Sequence, residues 1–235
     1  MRFPLVIVCS LLLLSFKQSN DTRQISLDFS SRILERGKYV SVSGQVFFRK
    51  TDGVLTTHLV KPFENVTIVN AAGEMKIYDP IANTIIQNHS ALNSSESSYF
   101  YHFLNGSYND LGYGKAGYVI SGTRLEKGLM ITNWVPRKGF STPISSIELA
   151  QEKSLPIFVS FKDNRNKLLG KIYFSSYQKI GSLQLPLKIT EIMYKEKKDS
   201  VITVKHYSNP KLNQAADAAW LDFKIPANAR VIETK

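Results

Sequence analysis

The sequence predicts a mainly β protein. Apolar residues recur at every second position through most of the chain, and turn residues punctuate those runs at short intervals. Strands and helices nowhere alternate as a parallel nucleotide-binding sheet requires. Val42, Gly44, Val46 and Phe48 fall on one face of a strand, with Ser43, Gln45 and Arg49 on the other. Asp52-Gly53 is a hairpin signal, and VLTTHLVKP follows it with Leu55 and Leu59 on one side. Val66 and Ile68 then alternate with Thr67 and Val69, and after the Ala72-Gly73 turn Met75 and Ile77 share a face. These runs describe an antiparallel meander, apolar on one face and polar on the other.

The rhythm breaks between residues 91 and 117. Asn93 and two serines are good helix caps, Glu96 stands three residues past Asn93, and Phe100, Phe103 and Leu104 recur at helical spacing. A short amphipathic helix is expected there, followed by a loop through SYNDLGYGKAG. Strands resume at Tyr118–Ile120, Leu129–Val135, Ile157–Phe161, Lys171–Ser176, Leu187–Tyr194 and Val201–Tyr207, with a short one near Phe223–Ile225. The segment TPISSIELAQEKSLP is read as holding a turn of helix. That makes about eleven strands, without a linker or repeat, and so a single domain over residues 21–235.

Residues 1–20 read as a signal peptide. Arg2 precedes the apolar run from Phe3 to Phe16, which is shorter than the roughly 20 residues of a membrane span. Cys9, the single cysteine, lies within that run, so the exported chain has no disulfide framework and no cysteine-ligated metal. An extracellular eukaryotic domain of this kind would often use disulfides, and their absence favours a bacterial periplasm. The net charge is +11; without Arg2 and Lys17 it is 28 basic against 19 acidic residues, or +9. Such a balance favours anionic partners, and for an exported protein these point to a membrane surface.

No enzyme is expected. Gly112, Gly114 and Gly117 match a dinucleotide fingerprint by letters, but they follow a polar stretch and lead into a strand, whereas the pyrophosphate needs a helix N-terminus. His58, His89, His102 and His206 have no metal-binding spacing, no serine sits in a nucleophile elbow, and nothing places Glu191 and Glu196 across a cleft. No cofactor is therefore expected. Basic and aromatic residues interleave from Lys162 to Lys179. That stretch reads as a hairpin with a polar turn, and no nucleic acid is expected as a partner.

The segment VFFRKTDGVLTTHLVKPFENVTIVNAAGEMKIYDP (residues 46–80) resembles the periplasmic outer-membrane lipoprotein carriers, the LolA-like family. The shared features are a strand ending in the basic pair Arg49-Lys50, a strand closing on Pro62, and Gly73, Met75, Ile77, Tyr78, Asp79 and Pro80 in order. LPLKITEIMYKEKKDSVITVKHYSNPKLN and FKIPANARVIE resemble that family's last strands and its closing segment. Two departures stand out: Thr51 replaces a proline, and ISLDFSSRIL begins as a strand where the family has a helix.

The resemblance implies an unclosed antiparallel β half-barrel with a short helical lid and lipoprotein acyl chains, or another lipid, inside. It also implies an inner-membrane donor complex, an outer-membrane acceptor and a role in lipoprotein transport as a monomer. Phe48, Leu59, Val66, Ile68, Met75, Ile77, Phe161, Phe174 and Ile189 are the expected wall, and Phe100, Phe103 and Leu104 the expected lid. In that family a basic residue after the inward strand positions touches the lid; Lys50 is the nearest match by parity. The alternatives are a lipid- or lipoprotein-sensing module on the same scaffold, and an exported structural β-sandwich that binds nothing.

Overall fold

The computed structural model describes residues 22–90, 94–95, 98–195 and 199–232. The proposed signal peptide, Cys9, Asn93 and Glu96 lie outside the described residues. A first meander runs β1 (Gln24–Glu35), β2 (Lys38–Arg49), β3 (Val54–Lys61), β4 (Asn65–Val69), β5 (Glu74–Asp79) and β6 (Thr84–His89). Helix α1 (Tyr99–Leu104) follows, then β7 (Tyr118–Glu126), β8 (Leu129–Pro136), β9 (Ser146–Glu152), β10 (Leu155–Lys162), β11 (Leu168–Ile180), β12 (Leu183–Tyr194) and β13 (Ser200–Leu212). The chain ends in α2 (Ala218–Leu221) and β14 (Arg230–Ile232).

All the strands belong to one sheet, in the order β14-β6-β5-β4-β3-β2-β1-β13-β12-β11-β10-β9-β8-β7. The pairing of β1 with β13 fuses the two meanders at the centre. The outermost strands, β14 and β7, do not pair, so the sheet stays open: a β half-barrel. A single sheet also replaces the two stacked sheets of a sandwich. Because β6 and β7 lie near opposite edges, the chain joining them must cross the sheet, and it carries α1 over one face. That crossing makes the helix a lid.

Two segments differ from expectation. Residues 146–152 form β9 and not a helical turn, because Ile147 and Leu149 pair with Phe161 and Val159 and pack inward. Pairing wins over the helix propensity of its Glu and Ala residues. The turn falls instead at Lys153 and Ser154, both with positive φ. Residues 223–225 are not a strand; the last strand is β14, parallel to β6.

Strand parity separates an inner face, beneath α1, from an outer one. In β2, Val46 and Phe48 point inward while Phe47 points outward, and all three are buried. An outward phenylalanine can be buried because the C-terminal segment straps that side: Trp220 stacks on His58 at 3.8 Å and lies 6.1 Å from Phe47, and Phe223 lies 6.0 Å from Tyr78. Arg49 fastens the strap to the sheet through Asp222 at 2.7 Å.

Gly44 permits the close approach of β2 and β3 at a register shift. A Cβ there would stand 2.0 Å from the His58 carbonyl oxygen. Backbone cannot yield as a flexible side chain does, so Gly44→Ala should cost at least about 2 kcal/mol, read as a lower urea midpoint. An unchanged midpoint would show that the two strands can part there without loss.

Candidate functional site

The inner face is an apolar floor with an aromatic plug. Rows of paired residues cross it: Ile25 with Phe48, Leu27 with Val46, and Phe174 with Ile189. Farther along, Val159 stands between Leu149 and Ile172, and Phe161 between Ile147 and Gly170. These residues form one cluster with Phe100, Phe103 and Leu104 of α1, whose exposures are 4%, 0% and 1%. The lid is therefore packed down into the trough.

Aromatic geometry holds it there. Phe100 stacks flat on Tyr207, centroids 4.1 Å apart and planes 4° from parallel. Phe103 meets the edge of Phe174 at 5.0 Å and also contacts Tyr177 and Tyr108. Tyr101 packs against Phe48 at 5.6 Å, and Tyr99 against Phe174 at 5.7 Å.

Hydrogen bonds tether the segments flanking α1. Before the helix, Ser95 Oγ donates to the Gly53 carbonyl at 2.8 Å and Ser94 Oγ to the Ala71 carbonyl at 3.0 Å. After it, the Gln184 amide donates to Tyr108 Oη at 2.7 Å, and Gln151 Nε2 donates to the Tyr108 carbonyl at 3.1 Å. No side-chain hydrogen bond from Ser98 caps the helix N-terminus, while at the other end Asn105 Nδ2 donates to the Tyr101 carbonyl at 3.1 Å. The helix's six residues are too few to be stable alone, so packing against the wall is what keeps it helical.

The expected wall residues divide. Phe48, Phe161, Phe174 and Ile189 lie under the lid. Leu59, Met75 and Ile77 share that inner face, since Leu59 is paired with Gly44 and Met75 and Ile77 with Val69 and Thr67, but they remain half-exposed outside the packed cluster. Val66 and Ile68 require correction. They pair with His58 and Thr56 and so face outward, beneath the C-terminal strap. In β4 the apolar parity faces the strap, while the inward parity carries Asn65 and Thr67 beside Val69, so alternation alone selects the wrong side. Trp220 and Phe223, two aromatics in a polar tail, were the signal that a second apolar surface exists.

Lys50 also departs from expectation. It is exposed at the start of the β2–β3 turn, and its backbone N–H donates to the Arg23 carbonyl at 2.9 Å. Among the described residues its side chain makes no hydrogen bond or ion pair. The chain has already left the strand there, so the side chain is not held over the trough. Its neighbour Arg49 binds Asp52 and Asp222.

Other groups are partnered. Glu191 accepts from Lys205 Nζ at 2.7 Å, while Glu196 lies outside the described residues. His58 pairs with Glu64 at 3.0 Å. Gly112, Gly114 and Gly117 lie in turns between α1 and β7, where Gly112 leaves room for the His102 ring. Among the described residues no group of His, Cys, Asp and Glu side chains could hold a metal ion.

The buried phenols give the site a pH signature. Burial pushes Tyr99 up to about 12 and holds Tyr113, Tyr177 and Tyr207 above the usual 10. Above pH 10 the unfolded chain releases these protons while the folded chain keeps them. Stability is thus fully present below pH 10 and is lost as pH rises toward the folded values. Urea midpoints should fall between pH 10 and pH 12; a flat profile would mean that these hydroxyls are wet.

No protein-family model matches the chain, and no curated protein matches it. Solved structures do. A DUF1329 family protein from Desulfovibrio piger matches 86% of this chain and 90% of its own, with TM-score 0.60 and 16% identity. A LolA superfamily protein from Nitrosomonas europaea matches at TM-score 0.56 and 10% identity, covering 85% of this chain and 90% of its own.

The fold is LolA-like. A putative outer membrane lipoprotein-sorting protein domain from Vibrio parahaemolyticus has the same LolA-like course, at TM-score 0.56 and 8% identity over 85% of this chain and 89% of that one. Identities this low speak for the backbone only. A shared LolA-like scaffold nonetheless accounts for the open sheet whose two meanders meet at its centre.

Proposed function

We propose that this protein is a periplasmic carrier, without catalytic activity, that shelters acyl chains of lipoproteins or other lipids on its inner face and passes them toward the outer membrane. The observation that carries the proposal is the lid. Three of its apolar side chains, Phe100, Phe103 and Leu104, occupy the trough that a guest would use. Burying them contributes about 6 kcal/mol at roughly 2 kcal/mol each, whereas a long acyl chain brings on the order of 10 kcal/mol of burial. The two are comparable. A guest can therefore displace the lid, and the returning lid helps expel the guest, so binding stays reversible.

The half-exposed Leu59, Met75 and Ile77 extend the apolar floor beyond the lid and give a lipid a first foothold. Gently purified protein should retain lipid in native mass spectra, shed on adding detergent. Depleting the protein from its own bacterium should leave lipoproteins at the inner membrane. Bound lipid with unchanged lipoprotein localisation would instead fit a sensor; an empty protein that takes up no lipid would remove both roles.

A further inference from the structure

The outer face carries a cleft of about 550 Å³ near its centre, on the side of the sheet away from the lid. Its side chains come from adjoining strands. Lys188, His206, Ser30, Ser43 and Lys61 stand opposite one another on β12, β13, β1, β2 and β3, in one cross-strand row. Neighbouring strands are about 4.8 Å apart, so the row spans roughly 19 Å. Arg32 and Ser41, also paired, stand one row along on the same face. All these residues except Lys188 line the cleft.

The residues lining the cleft include cations and no carboxylate. Among the described residues Arg32, Lys61, His206 and Lys188 have no carboxylate partner, and Arg32 only rests over the Tyr39 ring at 5.7 Å. The nearby carboxylates on this face are turned to other partners, though they keep their negative charge. Asp28 accepts from Asn209 Nδ2 at 2.6 Å and Gln45 Nε2 at 3.0 Å, and Glu64 is bonded to His58. Ser31, Val42 and Val204 complete the lining, and the outward hydroxyls of Ser30, Ser41 and Ser43 can donate to one acceptor.

We propose that this cleft binds a phosphate group, with Arg32 and Lys61 supplying charge and Ser30, Ser41 and Ser43 supplying hydroxyl donors. A compact oxyanion can accept from the cations and hydroxyls together, charge-assisted contacts that a hydrocarbon guest could not make. The site lies on the face opposite the trough and does not depend on the carrier role. The phosphate could belong to a soluble monoester or to a lipid headgroup, and the two sources are separable.

The test titrates the exported protein with glycerol 3-phosphate, followed by NMR shifts, and measures flotation with phosphatidylcholine vesicles with and without phosphatidic acid. The comparison is with the double variant Arg32→Gln/Lys61→Gln and with the control Lys127→Gln at the exposed β7–β8 turn. Both changes replace exposed side chains, so folding should survive, as circular dichroism would verify. The double variant should bind about tenfold more weakly, or more, while the control is unchanged. Saturable binding of the soluble phosphate that depends on this pair supports a monoester site; vesicle binding alone with the same dependence supports a headgroup site. Binding to neither probe, or weakening equal in variant and control, overturns the proposal.

Discussion

Phe103→Ala should make the protein less stable and a better binder of acyl chains. The ring is fully buried and touches Phe174, Tyr177 and Tyr108. Losing it should lower unfolding free energy by about 3–5 kcal/mol, because the wall cannot collapse into the space. Yet the same ring is what a guest must evict. If roughly 1.4 kcal/mol of the loss falls on the closed lid alone, affinity for a fluorescent fatty acid rises about tenfold. A side chain of ordinary core would show only the first effect. Stability and affinity moving in opposite directions is what distinguishes a lid from plain packing.

Phe48→Glu should have the opposite effect on binding and a large effect on stability. Phe48 is 2% exposed, packed between Ile25, Leu55 and the Tyr101 ring. A carboxylate there would be buried without a partner, costing about 3 kcal/mol or more at pH 7. Burial raises its folded pKa above the ordinary value near 4.3. The variant is therefore closest to the parent below pH 4 and loses ground as pH rises through the raised value. Urea unfolding at pH 4 and pH 7 measures the difference. Acyl binding should fall at neutral pH, since the charge sits on the proposed path. A variant that binds lipid fully at pH 7 would remove Phe48 from the wall.

Much of this was readable beforehand. Alternation in β2, with Val46 and Phe48 on one side, gave the inner face correctly because its polar partners were unambiguous. The helical spacing of Phe100, Phe103 and Leu104 gave α1, and their burial shows all three turned to the same wall. Val66 and Ile68 point the other way because the apolar parity of β4 packs against the strap, and its inward parity includes Asn65 and Thr67. The strap could not be placed from local pattern: its contacts with β2, β3 and β5 join residues far apart in sequence. β9 was lost to a similar cause, since its helix-favouring residues are overruled by pairing with β8 and β10. The outer cleft was also out of reach, because serines and cations spaced along five strands form a row only once the register is known.

To act as a carrier, the protein must let an acyl chain take the lid's place on the inner face. A fatty acid carrying a diazirine near its methyl end, photolysed with the protein and mapped by peptide mass spectrometry, tests that directly. Label should fall on Phe48, Phe174, Ile189 and their inward neighbours, and excess unlabelled fatty acid should compete it away. Label confined to the strap face around Val66 and Phe223, or no saturable label at all, would contradict it.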